Sequence, residues 1–241
     1  AQTGFAMSLR ARGAWHWAEG ADIAQRSEPL TTKHQIDSCA RCHARRGTLG
    51  EYHPGKPLLD THRLAIIEEP LYWPDGQIRD EVYVYGSFIQ SKMHQAGVAC
   101  TNCHNPHSNQ LVAEGNGVCA QCHLASTYDN PTHHRHPSAS AGSACVDCHM
   151  PETTYMERHP RRDHGFTVPD PGLTLEAGVP NACQRCHEED AQWALGHTTA
   201  WFGDELTDRQ RRARAMAGLL GLDGLLAVST AQAAPYKVDE A

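Results

Sequence analysis

The sequence predicts mainly irregular backbone with short α-helices and little or no β-sheet, wrapped around a core that amino-acid side chains do not supply. Three observations lead there. Only 40% of the 241 residues are hydrophobic and 7% are aromatic, with a mean hydropathy of −0.55, a thin supply for a conventional interior. Leu, Ile, Val and Phe are scarce between positions 39 and 190, and that stretch holds all ten cysteines and most of the seventeen histidines. Within it, Cys and His recur at one fixed spacing.

The ten cysteines form five pairs two residues apart: Cys39/Cys42, Cys100/Cys103, Cys119/Cys122, Cys145/Cys148 and Cys183/Cys186. A histidine follows each pair, namely His43, His104, His123, His149 and His187. At this histidine content five such placements have a chance probability of roughly two in a million. Two thiols three positions apart can add to the two vinyl groups of one porphyrin edge, which leaves the next residue beneath the iron as its proximal ligand. The pattern therefore predicts five covalently attached haems c, with the ten cysteines as attachment points and the five histidines as proximal ligands. Zinc sites need two such pairs per metal and give no reason for a histidine directly after each one. Disulfides across two residues are redox devices more often than scaffold, and five in one chain would be odd.

Successive motifs begin 61, 19, 26 and 38 residues apart, too little chain per haem for separate folds, so the macrocycles must pack on one another and form the core. All motifs lie in residues 39–187, within a haem domain expected to span 1–190. Before the second motif, Pro and Gly punctuate a loop from Glu51 to Gly76, with Tyr52, Tyr72, Trp73 and Tyr83 as candidate haem-packing aromatics. Tyr85 to Ala96 reads as one helix, with Ser87 near its start and Gly97 as its stop. Residues 191–241 read as a C-terminal helical segment: Glu188 to Trp201 is helical in composition, Thr207 with Gln210 forms a capping box, and Asp208 to Val228 continues as an Ala- and Leu-rich helix. The two helices are expected to pair as a hairpin beside the haem region.

Each iron needs a second axial ligand if it only carries electrons, and an open position if it binds substrate. Twelve histidines remain for that role. His94 closes the helix leading into Cys100, and His107 follows the second motif in CHNPHS. His133, His134 and His136 cluster between motifs three and four, where one or two can ligate and His134 and His136 are the named choices. His164 stands in RRDHGFTVP between motifs four and five. The first haem is harder to supply: His34 is nearest, with His16, His53 and His62 as other upstream candidates and His159 and His197 as weaker ones. Met93, Met150 and Met156 are the methionine alternatives. Arg45, Arg46, Arg135, Arg158, Arg161 and Arg162 lie nearest the motifs as candidate partners for propionates.

The stretches DSCARCHARRG, QSKMHQAGVACTNCHNPHS, CVDCHMPETTYM and DHGFTVPDP followed by PNACQRCH resemble multihaem c-type cytochromes, in particular the haem region of larger members in which helical repeats follow. The resemblance implies electron transfer, haem attachment outside the cytoplasm and hence a periplasmic or extracellular setting, and redox proteins as partners. Because some multihaem cytochromes polymerise into extracellular filaments, a homopolymer along a continuous haem chain, a nanowire, is a further expectation. No catalytic residue is assigned. The alternative is a reductase of a small nitrogen oxyanion or hydroxylamine with one open haem. A side-chain net charge of −7 with no basic block argues against nucleic acid, and the longest apolar run, 219–226, is too short to span a bilayer. The start, Ala1-Gln2-Thr3-Gly4-Phe5, has the look of a mature or trimmed chain.

Overall fold

The structure, a computed structural model, describes residue 9 and residues 13–65 and 67–230, with side chains described up to Leu219. Irregular backbone dominates, interrupted by short helices and three two-stranded antiparallel ladders. The first ladder pairs β1 (Trp15–His16) with β2 (Gln25–Arg26). Helix α1 (His34–His43) carries the first motif at its end. The second ladder joins β3 (Arg46–Thr48) to β4 (His62–Leu64), closing the loop after that motif, with Arg46 opposite Leu64.

The segment expected as one helix from Tyr85 to Ala96 is two: α2 (Tyr85–Phe88) and α3 (Lys92–Gln95). Ser91 breaks it. Its backbone is extended and its side chain, fully buried, accepts the His94 N–H at 3.0 Å, so a new helix begins there. Gly97 ends α3 at φ +89°, a left-handed stop as the sequence suggests.

Helices α4 (Gly117–Ala120), α5 (Ala125–Tyr128) and α6 (Pro131–His134) follow in quick succession. Asn130 caps α6 through the Thr132 N–H at 2.8 Å, with Pro131 pre-set at the first helical position. Helix α7 (Cys145–His149) holds the fourth motif, and the hairpin of β5 (Glu152–Tyr155) and β6 (His159–Arg162) follows it through Met156 and Glu157, both at positive φ.

Helix α8 (Pro171–Ala177) is capped by the Asp170 carboxylate on the Leu173 N–H, and α9 (Ala191–Phe202) by Asp190 on the Trp193 N–H. Helix α10 (Asp208–Thr230) opens with the capping box read from the sequence: the Thr207 N–H donates to Gln210 Oε1 at 2.9 Å, and the Gln210 N–H to Thr207 Oγ1 at 3.2 Å. The expected hairpin partnership is replaced by a shared one, since both α9 and α10 pack against α8. Residues 231–241 of the expected helical segment lie outside the described residues.

Apolar packing is correspondingly dispersed. Among the described residues the buried side chains form four small clusters: Ile36 with Phe88, Val98 and Ala99; Ala40 with Ala44 and Leu58; Tyr72 with Ile78 and Val82; and Leu173 with Val179 and Ala213. Tyr72, expected to face haem, is instead 2% exposed within one of these clusters. Tyr52 packs on Ala40, Ala44 and Leu58 with the Arg41 guanidinium over its ring. No single apolar interior forms among the described residues.

Candidate haem-attachment turns and their imidazoles

Each Cys-x-x-Cys-His motif is one turn of helix. In the second, third and fifth motifs the histidine N–H donates to the carbonyl of the first cysteine, His104 to Cys100 at 2.9 Å, His123 to Cys119 at 2.9 Å and His187 to Cys183 at 3.0 Å. The first and fourth lie within α1 and α7. Positions i, i+3 and i+4 of a helical turn share one face. Both thiols and the imidazole of every motif therefore point the same way, which is what attachment to one porphyrin edge with ligation from below requires.

Eight of the ten cysteines are half-buried, and Cys42 of the first motif and Cys186 of the fifth are exposed. The three middle motifs have a neighbouring motif on either side, whereas the first and last are flanked on one side only. In α1 the protein-packed side is formed by Ile36, Asp37 and Ala40. Cys42 lies two residues beyond Ala40, about 200° around the helix from it, and so faces away from that side.

The motifs also follow one another in space. The Cys39 and Cys100 side chains lie near one another across the 61 residues that separate the first two motifs. So do Cys103 and Cys122, Cys119 and Cys145, and Cys148 and Cys183. Motifs one to five thus follow one another in space in chain order.

Three of the proximal histidines face a second imidazole. His104 and His164 have ring centroids 6.3 Å apart with planes at 23°, His133 and His149 are 6.1 Å apart at 16°, and His136 and His187 are 6.0 Å apart at 44°. An imidazole nitrogen sits about 2.0 Å from a metal it binds, and its ring centroid a little over 1 Å further back. Two rings on opposite sides of one iron would have centroids roughly 6.3 Å apart. The three centroid separations match that distance.

Hydrogen bonds prepare several of these rings for that task. His149 Nδ1 lies 2.8 Å from the Thr167 carbonyl, His164 Nδ1 2.9 Å from that of Arg162, His136 Nδ1 2.5 Å from that of His134, and His94 Nδ1 3.1 Å from that of Ile89. A carbonyl at Nδ1 fixes the proton there and leaves Nε2 as the bare nitrogen a metal binds. Burial holds the imidazoles of His94, His104, His123, His133 and His164 below the ordinary histidine range, which favours the neutral ligand form.

The cluster between motifs three and four resolves by backbone geometry. His133 and His134 belong to α6, but Arg135 is left-handed at φ +62° and reverses the chain before His136. His133 is thereby turned to motif four and His136 to motif five. His134 takes the His136 N–H on its Nδ1 at 3.2 Å, and its Nε2 is buried without a partner. The structure places His164 beside His104, His136 beside His187 and His133 beside His149; of these three partners, His133 is the one the sequence reading passed over in favour of His134 and His136. His94 stands edge-on to Phe88 at 5.4 Å. His107 is exposed, and His34 begins α1; neither meets a second imidazole among the described residues.

Helix α9 brings together rings the sequence reading did not group, of which only His197 was named there, as a weaker ligand candidate. Trp193, His197 and Trp201 are four residues apart and so share one face. They run from His187, with centroid separations of 4.9, 4.5 and 5.3 Å, and Phe202 extends the row to His133 at 6.3 Å. Their regular spacing was the available signal. Several arginines expected to serve propionates are engaged by protein carboxylates: Arg45 with Asp80 at 3.0 Å, Arg161 with Glu81 at 2.8 Å and Arg162 with Asp147 at 2.8 Å.

Attachment turns of this kind, in series on a largely irregular backbone, define a multihaem cytochrome of the c type, and the chain is one. Its sequence matches the family model for cytochrome c552 over residues 127–220 and that for a doubled CXXCH motif over residues 94–127. In fold it is similar to the crystal structure of the outer cell wall cytochrome OcwA, with 19% identity and a TM-score of 0.50. That match covers 72% of this chain and 53% of the other, so the chain spans about half the length of that cytochrome. No curated protein is similar to the chain by sequence. Among the described residues no helix is long and apolar enough to cross a membrane.

Proposed function

We propose that the chain is an electron carrier with five haems c, held in series in the order of their motifs, and that at least three of them are bis-histidine ligated. The observation that carries the reading is the row of imidazole pairs at 6.0 to 6.3 Å, each joining a proximal histidine to one distant in sequence. Haem supplies a one-electron ferric/ferrous couple when bound. The ten cysteines fasten it, and His43, His104, His123, His149 and His187 ligate from the motif side. His164, His133 and His136 close the opposite face at motifs two, four and five. The carbonyls of Thr167, Arg162 and His134 hold three of these rings in the ligating tautomer. His94, His107 and His34 are the candidates for the remaining two irons.

In this reading the irons of motifs two, four and five keep no open position for substrate, and the partners are redox proteins at either end of the series, a second copy of the chain in a filament included. The name of OcwA places that protein in an outer cell wall, and thioether attachment of haem belongs outside the cytoplasm; we place this chain in the periplasm or beyond the cell. The test is the holoprotein itself. Haem quantification should return five per chain, electron paramagnetic resonance should show low-spin bis-imidazole signals, and nitrite, hydroxylamine and carbon monoxide should leave the spectrum unchanged. Fewer haems, or a high-spin signal that nitrite displaces, would refute the carrier reading in favour of a reductase. Electron microscopy distinguishes a filament subunit from a discrete carrier.

A further inference from the structure

We infer that the segment from Arg162 to Thr167 couples the second and fourth haem sites to each other, and that Arg209 of α10 is its positioning residue. The inference rests on the imidazole pairing proposed above. Two ligand environments meet on this one stretch. His164 lies 6.3 Å from His104 of motif two. Three residues later, the Thr167 carbonyl takes His149 Nδ1 of motif four at 2.8 Å, and the Thr167 N–H returns a hydrogen bond to the His149 carbonyl at 3.0 Å. A span of three residues reaches at most about 10 Å, so a displacement at one end is felt at the other. Motif three lies next to both motif two and motif four, and the segment adds a direct link between the latter two.

The segment is fastened on several sides. Arg162 donates to the Val146 and Met150 carbonyls, both at 3.2 Å, and pairs with Asp147, so its start is bound to α7. The Asp163 carboxylate accepts the N–H groups of Ile78 at 2.7 Å and Gly165 at 2.5 Å. The His164 N–H donates to the fully buried Ser87 hydroxyl at 3.3 Å. At the midpoint the only side-chain donor to the Gly165 carbonyl, among the described residues, is Arg209 Nη1 at 2.6 Å.

Arg209 has little freedom to act elsewhere. Its Nη2 is buried without a partner, and the Asp75 and Asp163 carboxylates attract its charge. A Cβ on Gly165 would lie 2.9 Å from Asp163 Oδ1 and 3.1 Å from Arg209 Nη2; the chain carries no side chain where the guanidinium approaches. A helix that begins after all five motifs thus grips the midpoint between two ligand contacts.

Replacing Arg209 by Gln in the holoprotein tests this. Haem-resolved redox titration should show two midpoint potentials shifting together while three stay at their wild-type values. Amide exchange at Gly165 to Thr167 should quicken by about tenfold. Arg209→Lys, which keeps a cation and a donor, should restore most of both effects, and it serves the same comparison if the Gln variant fails to accumulate. Unchanged potentials, a shift of one haem alone or an equal shift of all five would overturn the coupling. Absence of bis-imidazole signals in the wild type is a separate failure, of the ligand pairing itself, and removes the inference with it.

Discussion

At the scale of single residues, the seats of the distal imidazoles are as specific as the imidazoles. Gly142 is the clearest case. A Cβ there would lie 2.3 Å from His136 Cδ2 and 2.4 Å from its Cγ, so Gly142→Ala must displace the ring that faces His187. Overpacking of this kind costs about 1–3 kcal/mol. The expected result is loss of one low-spin signal of the wild-type set, read by electron paramagnetic resonance, with haem content unchanged. His133→Ala should remove a different signal, that of motif four, whereas His134→Ala should leave all of them in place. Adjacent histidines are equivalent to a reader of composition. Their directions are set by the Asn130 cap and by the left-handed Arg135, and the second of these has no sequence marker, because a non-glycine residue at positive φ is held there by its surroundings.

At the scale of elements, caps decide where rings point. Ser91 ends one helix and starts the next, and its hydroxyl holds the backbone of His94. Ser91→Ala should cost about 1 kcal/mol of stability, measured by thermal unfolding. The C-terminal helices attach to the motif region through polar as well as apolar contacts. Arg214 reaches Asp170 with both terminal nitrogens, at 2.6 and 3.0 Å, while Asp170 also caps α8. Because the pair is largely sheltered and bidentate, Arg214→Ala should destabilise by about 2 kcal/mol and loosen α10 before the motif region, a sequence that hydrogen exchange would reveal. The capping box at Thr207 and the start of α10 were readable from local chemistry, whereas α9 begins at Ala191 behind its Asp190 cap, three residues later than the composition suggested. The break in the expected single helix at Tyr85–Ala96 was not readable, since it depends on burying Ser91 beneath neighbouring chain.

At the scale of the molecule, the small, scattered apolar clusters predict that the polypeptide depends on its cofactors to fold. Chain produced without haem attachment should lack a cooperative thermal transition and be cut rapidly by protease within residues 39–187, where the holoprotein resists; a stable, protected apoprotein would contradict this. Haem c binding was legible in the sequence alone, because a CxxCH motif needs only five consecutive residues on one helical turn, a condition that no distant contact alters. The class of fold followed from the same motifs and the shortage of apolar side chains. Only the tertiary structure decided which imidazole faces which motif. His104 meets His164 sixty residues away and His187 meets His136 fifty-one away, and such pairings depend on how the intervening chain turns, through Arg135, Ser91 and the grip of Arg209, none of which a local pattern reports.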